Sequence, residues 1–322
     1  VTVRTPIKLG AYMLGLAAVF GTSVGLGSVA GPDRTPPAAH GMPAAQHSAT
    51  AAPSGGAGAD AHLPVGLQVI QDGYRLAPES PELSAGEPQQ FRFRILGPDG
   101  TPVTRYTATH EKDLHLIVVR RDLAHFQHVH PQLGTDGTWS TALAVAAPGQ
   151  YRVFADFRPA GRESALTLGV DVAAPGELRP VPLPEPARTA TVDGYTVTLD
   201  GDLVPGTSSK VTLSVSRDGA PVTDLEPYLG AYGHLVALRD GDLAYLHVHP
   251  DGAPGDGRTA PGPGITFYTE VPSVGTYRLY LDFQHAGKVR TAEFTVPATA
   301  QTATTPPAPS GEQHGEGDQT HG

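Results

Sequence analysis

Across residues 64–297 the chain is built from short runs in which apolar and polar side chains alternate. Gln90-Phe-Arg-Phe-Arg-Ile95, Val211-Thr-Leu-Ser-Val215 and Tyr277-Arg-Leu-Tyr-Leu281 each place every second side chain on one face. A period of two is that of a strand with one face on a core. Gly, Pro and Asp clusters punctuate the runs, and no stretch repeats at the helical period. This pattern predicts an all-β fold.

The runs come in two copies. Asp99-Gly-Thr-Pro-Val-Thr104 is repeated as Asp218-Gly-Ala-Pro-Val-Thr223, His128-Val-His-Pro131 as His247-Val-His-Pro250, and Phe154-Ala-Asp-Phe157 as Tyr280-Leu-Asp-Phe283. The internal repeats span residues 64–173 and 187–297. Pro175, Pro180, Pro182, Pro184 and Pro186 mark a stiff linker over 174–186. A copy of about 110 residues with about seven strands suits an immunoglobulin-like β-sandwich. Tyr151 and Tyr277, each two residues after a Gly, fit the tyrosine corner of that fold. A cupredoxin-like or cupin-like barrel is the alternative topology.

Residues 1–30 read differently. Arg4 and Lys8 precede an uncharged run from Leu9 to Ala30. Positive-inside logic sends everything downstream across the cytoplasmic membrane. Ser28-Val29-Ala30 would serve a signal peptidase, but the run is long enough to span a bilayer, which favours an uncleaved single-pass helix. The Ala/Pro/Gly-rich segment 31–63 and the acidic tail 298–322 read as disordered.

Composition narrows the chemistry. Lys and Arg number 22 against 32 Asp and Glu, a net charge of −10, so a nucleic-acid partner is disfavoured. There is no cysteine. Disulfides, zinc ribbons, iron–sulfur clusters and blue-copper thiolate sites are therefore excluded. A metal ion would have to be held by His, Asp, Glu or Met.

The chemistry-bearing motif is His-x₁₂-His-x-His-Pro, present in both copies as His115, His128, His130 and His234, His247, His249. In the second copy Asp240-Gly241 is a hairpin signal. A two-residue turn there sets His234 directly opposite His247, with His249 diagonal on the same face. The matching turn in the first copy sets His115 opposite His128, with His130 diagonal. Three imidazoles on one face can hold a divalent ion, Cu(II) or Zn. Asp156 and Asp282 could complete the sites or orient an imidazole. His285, which has no counterpart in the first copy, is a candidate fourth ligand for the second. Ile117, Val119, Phe126, Val236, Leu238 and Tyr245 share the histidine face, so the imidazoles could instead sit at the edge of a core.

On the anchor and the paired His-x-His-Pro motifs, the sequence resembles exported actinobacterial membrane-anchored proteins with two such sandwich repeats. That resemblance implies heavy-metal or copper handling. In size and histidine usage it also resembles periplasmic copper-binding sandwiches of the CopC and YtkA kind, but it lacks their N-terminal histidine site. The leading expectation is a non-catalytic, membrane-tethered protein that buffers, resists or delivers Cu(II) or Zn outside the cytoplasm. An extracytoplasmic interaction module with structural histidines is the alternative. A cupin-type metal enzyme is a third reading, weakened because no Glu follows His130 or His249 at the cupin spacing.

Overall fold

The computed structural model describes residues 64–300, apart from residue 249 and the side chain at 247. The N-terminal helix, the 31–63 segment and most of the acidic tail expected from the sequence lie outside the described residues. Among the described residues there is no helix, hence none long and apolar enough to cross a membrane. All regular structure among the described residues is β.

The first repeat contains β1 (Ile70–Gln71), β2 (Tyr74–Pro78), β3 (Pro88–Leu96), β4 (Leu114–Arg120), β5 (Gln127–Val129), β6 (Gln132–Leu133), β7 (Thr138–Ala144), β8 (Gly149–Phe157) and β9 (Leu166–Ala174). The second contains β10 (Thr189–Val192), β11 (Tyr195–Asp200), β12 (Ser209–Arg217), β13 (Ala220–Pro221), β14 (His234–Arg239), β15 (Tyr245–Val248), β16 (Gly264–Thr269), β17 (Gly275–His285) and β18 (Lys288–Ala298). Each repeat is a sandwich of two antiparallel sheets. In the first, β1-β2-β3-β7-β6 faces β5-β4-β8-β9; in the second, β10-β11-β12-β13 with β16 on β12 faces β15-β14-β17-β18.

The alternating runs do what their period demands. Phe91, Phe93 and Ile95 point into the first sandwich core with Leu116, Val118 and Trp139. Val211, Leu213 and Val215 point into the second with Leu235, Leu279 and Phe283. Both tyrosine corners form: Tyr151 donates to Ala147 O at 2.8 Å and Tyr277 to Ser273 O at 3.1 Å.

Alternation fails at the central strands β4, β8, β14 and β17, with a clear cause. Every residue of β4 is buried, as is every residue of β17 from Tyr277 to Phe283. Their outer faces meet across the two repeats. Ile117, Val119, Leu123 and Phe154 of the first pack with Val236, Leu238, Leu243, Tyr245 and Tyr280 of the second in a third core. Equivalent positions of the two repeats pair reciprocally across the contact. Phe126 stacks on Tyr280 with ring centroids 3.9 Å apart, and in the mirrored position Tyr245 lies 5.1 Å from Phe154.

The hairpin register differs from the sequence expectation. Ile117, not His115, stands opposite His128, and Val236, not His234, stands opposite His247. The turn is longer than Asp240–Gly241: Arg239 N donates to Ala244 O, and Arg120 N to Ala124 O. An Arg239–Asp242 ion pair closes the second loop and Arg120–Asp122 the first. Each loop also turns a leucine with positive φ, Leu123 or Leu243, into the core between the repeats. That burial and the ion pair favour the longer loop. The first loop is one residue shorter, and His125, at φ 58°, is the extra residue that restores the offset by Phe126.

Candidate metal centre

A slip of two residues moves partners along the strand but keeps every side chain on its face. The first-repeat histidines therefore converge as their spacing requires. His115 Nδ1 lies 3.1 Å from His128 Nε2 and 3.2 Å from His130 Nε2. One ligand nitrogen from each falls within 4.8 Å of the others. Tetrahedral coordination at about 2.0–2.1 Å would separate ligand nitrogens by roughly 3.3 Å. The ring nitrogens already lie near that spacing.

Hydrogen bonds outside the cluster fix which nitrogens face inward. His115 Nε2 is 2.9 Å from Thr109 O; a carbonyl only accepts, so Nε2 carries the proton. His128 Nδ1 is 2.8 Å from Asp282 Oδ2, so its proton sits on Nδ1. A neutral imidazole has one N–H, which leaves His115 Nδ1 and His128 Nε2 with lone pairs aimed at each other. His130 Nε2 lies 3.2 Å from the same His115 nitrogen, so an N–H from His130, a shared proton or a metal ion can each engage these lone pairs. The Asp282–His128 pair has the form of a carboxylate–histidine–metal relay.

The second repeat repeats the outer half of this arrangement. His234 Nε2 donates to Tyr228 O at 2.9 Å, as His115 does to Thr109. The two carbonyls occupy matching turns, Thr109–Lys112 and Tyr228–Ala231. Burial with the nearby Asp282 charge pushes the Tyr228 hydroxyl above its ordinary value. His247 lies on β15 opposite Val236; its side chain, and His249 entirely, lie outside the described residues.

His234 of the second repeat faces the first-repeat cluster. The His234 ring is 6.4 Å from His115, 6.3 Å from His128 and 5.4 Å from His110. His115 and His234 are 2% and 1% exposed. Sequence reasoning set His110 aside because it has no counterpart; the structure brings it to the cluster. Asp156 and Asp282 stand opposite His115 and His234 in their own sheets, yet the Asp282 carboxylate serves His128 of the other repeat. No local pattern carries that exchange. The continuous apolar run of Leu116–Val119 was the available signal that both faces of β4 are covered.

His285 does not join the cluster. It lies three residues beyond Asp282 on an unbroken β17 ladder, so it occupies the opposite face of the sheet. There Tyr195 OH and His285 Nδ1 are 2.7 Å apart, and Asp224 Oδ1 is 3.1 Å from Nε2. His285 belongs to the second repeat's own sandwich.

Residues 68–174 and 190–300 each match one family, described as a domain of unknown function (DUF8832). No curated protein matches the chain. Among solved structures, the Escherichia coli adhesin FdeC is 15% identical over 71% of this chain and 64% of its own, with a TM-score of 0.22. Escherichia coli alpha-2-macroglobulin is 15% identical over 70% of this chain and 20% of its own, with a TM-score of 0.23. Invasin, a bacterial integrin-binding protein, is 13% identical over 70% of this chain and 39% of its own, with a TM-score of 0.20. The chain spans less than two thirds of each of these proteins. At such TM-scores the alignments carry no argument about function.

Proposed function

The chain belongs to this family of domains of unknown function, and on that footing we propose that it is a non-catalytic metal-binding protein acting outside the cytoplasmic membrane. His115, His128 and His130 would hold one Cu(II) or Zn ion, with the second repeat's triad as its counterpart. The observation that carries the reading is the convergence of one ring nitrogen from each of His115, His128 and His130, with His115 Nδ1 and His128 Nε2 turned inward by the hydrogen bonds of their other nitrogens. All-nitrogen donors of this kind suit Cu(II) and Zn. The uncharged Leu9–Ala30 run behind Arg4 and Lys8 supports export and tethering. The residues so placed bind and orient; buffering or delivery asks no more of them.

The test is metal content and affinity of the purified full-length protein after loading with Cu(II) or Zn. His130→Ala removes one ligand without stripping Asp282 of its partner, and should weaken binding at the first triad at least tenfold. Wild-type protein that retains neither ion after desalting would refute the reading.

Burial favours a second reading. The His128 and Asp282 side chains are 3% and 6% exposed and lie within the contact between repeats. In an extracytoplasmic interaction module, hydrogen bonds among the imidazoles would satisfy the ring nitrogens and the histidines would serve to join the sandwiches. That reading expects no metal uptake and a loss of stability from His130→Ala in metal-free buffer.

A further inference from the structure

One of the imidazoles oriented toward the candidate ion is held by the other repeat. Asp282, on β17 of the second repeat, accepts from His128 Nδ1 of the first at 2.8 Å. The carboxylate is itself fixed, because Thr291 Oγ1 donates to its other oxygen at 2.6 Å. Contacts that dock the repeats surround this bond. Tyr280, two residues before Asp282, stacks on Phe126 and donates to Leu123 O at 2.6 Å. The first-repeat site is therefore complete only when the second repeat is seated on it.

We infer that Asp282 is a positioning residue for the ion held by the opposite repeat, so that metal binding and docking of the two repeats form one coupled equilibrium. The inference rests on the metal-binding reading above. A carboxylate on Nδ1–H selects the tautomer, aims Nε2 at the ion and raises its basicity. Such support exists only in the docked state, so an ion that prefers that state stabilises docking by the same factor.

The experiment uses the full-length protein with His249 replaced by Ala, which removes one histidine of the second triad. Zn affinity is measured by calorimetry in this background and with Asp282→Asn, Asp282→Ala or Thr291→Val added. Asn keeps an acceptor for Nδ1–H but removes the charge, and should weaken Zn binding about tenfold. Ala removes both and should approach a hundredfold, the upper end for lost outer-shell partners. Thr291→Val should cost a few-fold. The second readout is hydrogen exchange: Zn should slow exchange in β17 and in the Leu123 turn, and Asp282→Asn should remove that protection. Unchanged Zn affinity in both Asp282 variants, or Zn protection confined to the first repeat, would overturn the inference while leaving the metal reading intact. Failure of the wild type to bind Zn or Cu(II) would overturn both. If Asp282→Ala does not fold, the Asn and Val variants decide.

Discussion

Tyr280→Ala tests whether the two sandwiches stand or fall together. The Tyr280 ring is fully buried although it lies on the outer face of its own sandwich. Its stacking partner, Phe126, and its hydroxyl's acceptor, Leu123 O, belong to the first repeat. Removing a buried aromatic ring costs about 3–5 kcal/mol. If the repeats were merely tethered, the same ring would face water and its loss would cost under about 0.5 kcal/mol. The two cases differ severalfold, well beyond measurement error. Tyr280→Phe removes only the hydroxyl and leaves Leu123 O without that donor, so it should cost about 1–3 kcal/mol. Trp139, the only tryptophan of the chain, lies in the first-repeat core against Phe93 and Tyr106. Its fluorescence therefore reports on one repeat while the substitution is made in the other. At an m-value of about 2–3 kcal/mol per molar urea, Tyr280→Ala should lower the Trp139 midpoint by roughly 1–2.5 M. A Trp139 transition unmoved by Tyr280→Ala, with a separate second-repeat transition in circular dichroism, would refute the docked arrangement.

Gly66→Ala should destabilise the protein by about 1–3 kcal/mol in urea titration, because φ is +78° and a Cβ would lie 2.8 Å from both Phe154 and Tyr245. His285→Ala should leave Zn affinity within about twofold of wild type, since that imidazole serves Tyr195 and Asp224; a large loss would place it back among the ligands. The hydrogen bond from Arg239 holds Asp242 below its ordinary value of 3.8. Its contribution is therefore present above that pH and lost as acid protonates it. With the carboxylate 42% exposed, screening limits the contribution to under about 1 kcal/mol. Asp242→Asn should remove that part of the stability loss below about pH 4, as read from the midpoint of urea unfolding at each pH.

The period-two runs and the duplicated motif were enough to read an all-β chain of two sandwich repeats, both tyrosine corners, and the shared face of His115, His128 and His130. The face survived an error in the turn because a slip of two residues preserves strand parity. Which residues stand opposite was not legible, because loop length followed an Arg–Asp ion pair and a leucine buried between the repeats. The partners of the histidine face were not legible either. Periodicity records that a side chain leaves one side of a sheet, but it does not say what covers that side. Only the packing of β4 and β8 against β14 and β17 gave Asp282 to His128 and drew His110 toward His234. These contacts join positions more than a hundred residues apart, and their energy comes from two apolar sheet faces excluding water together.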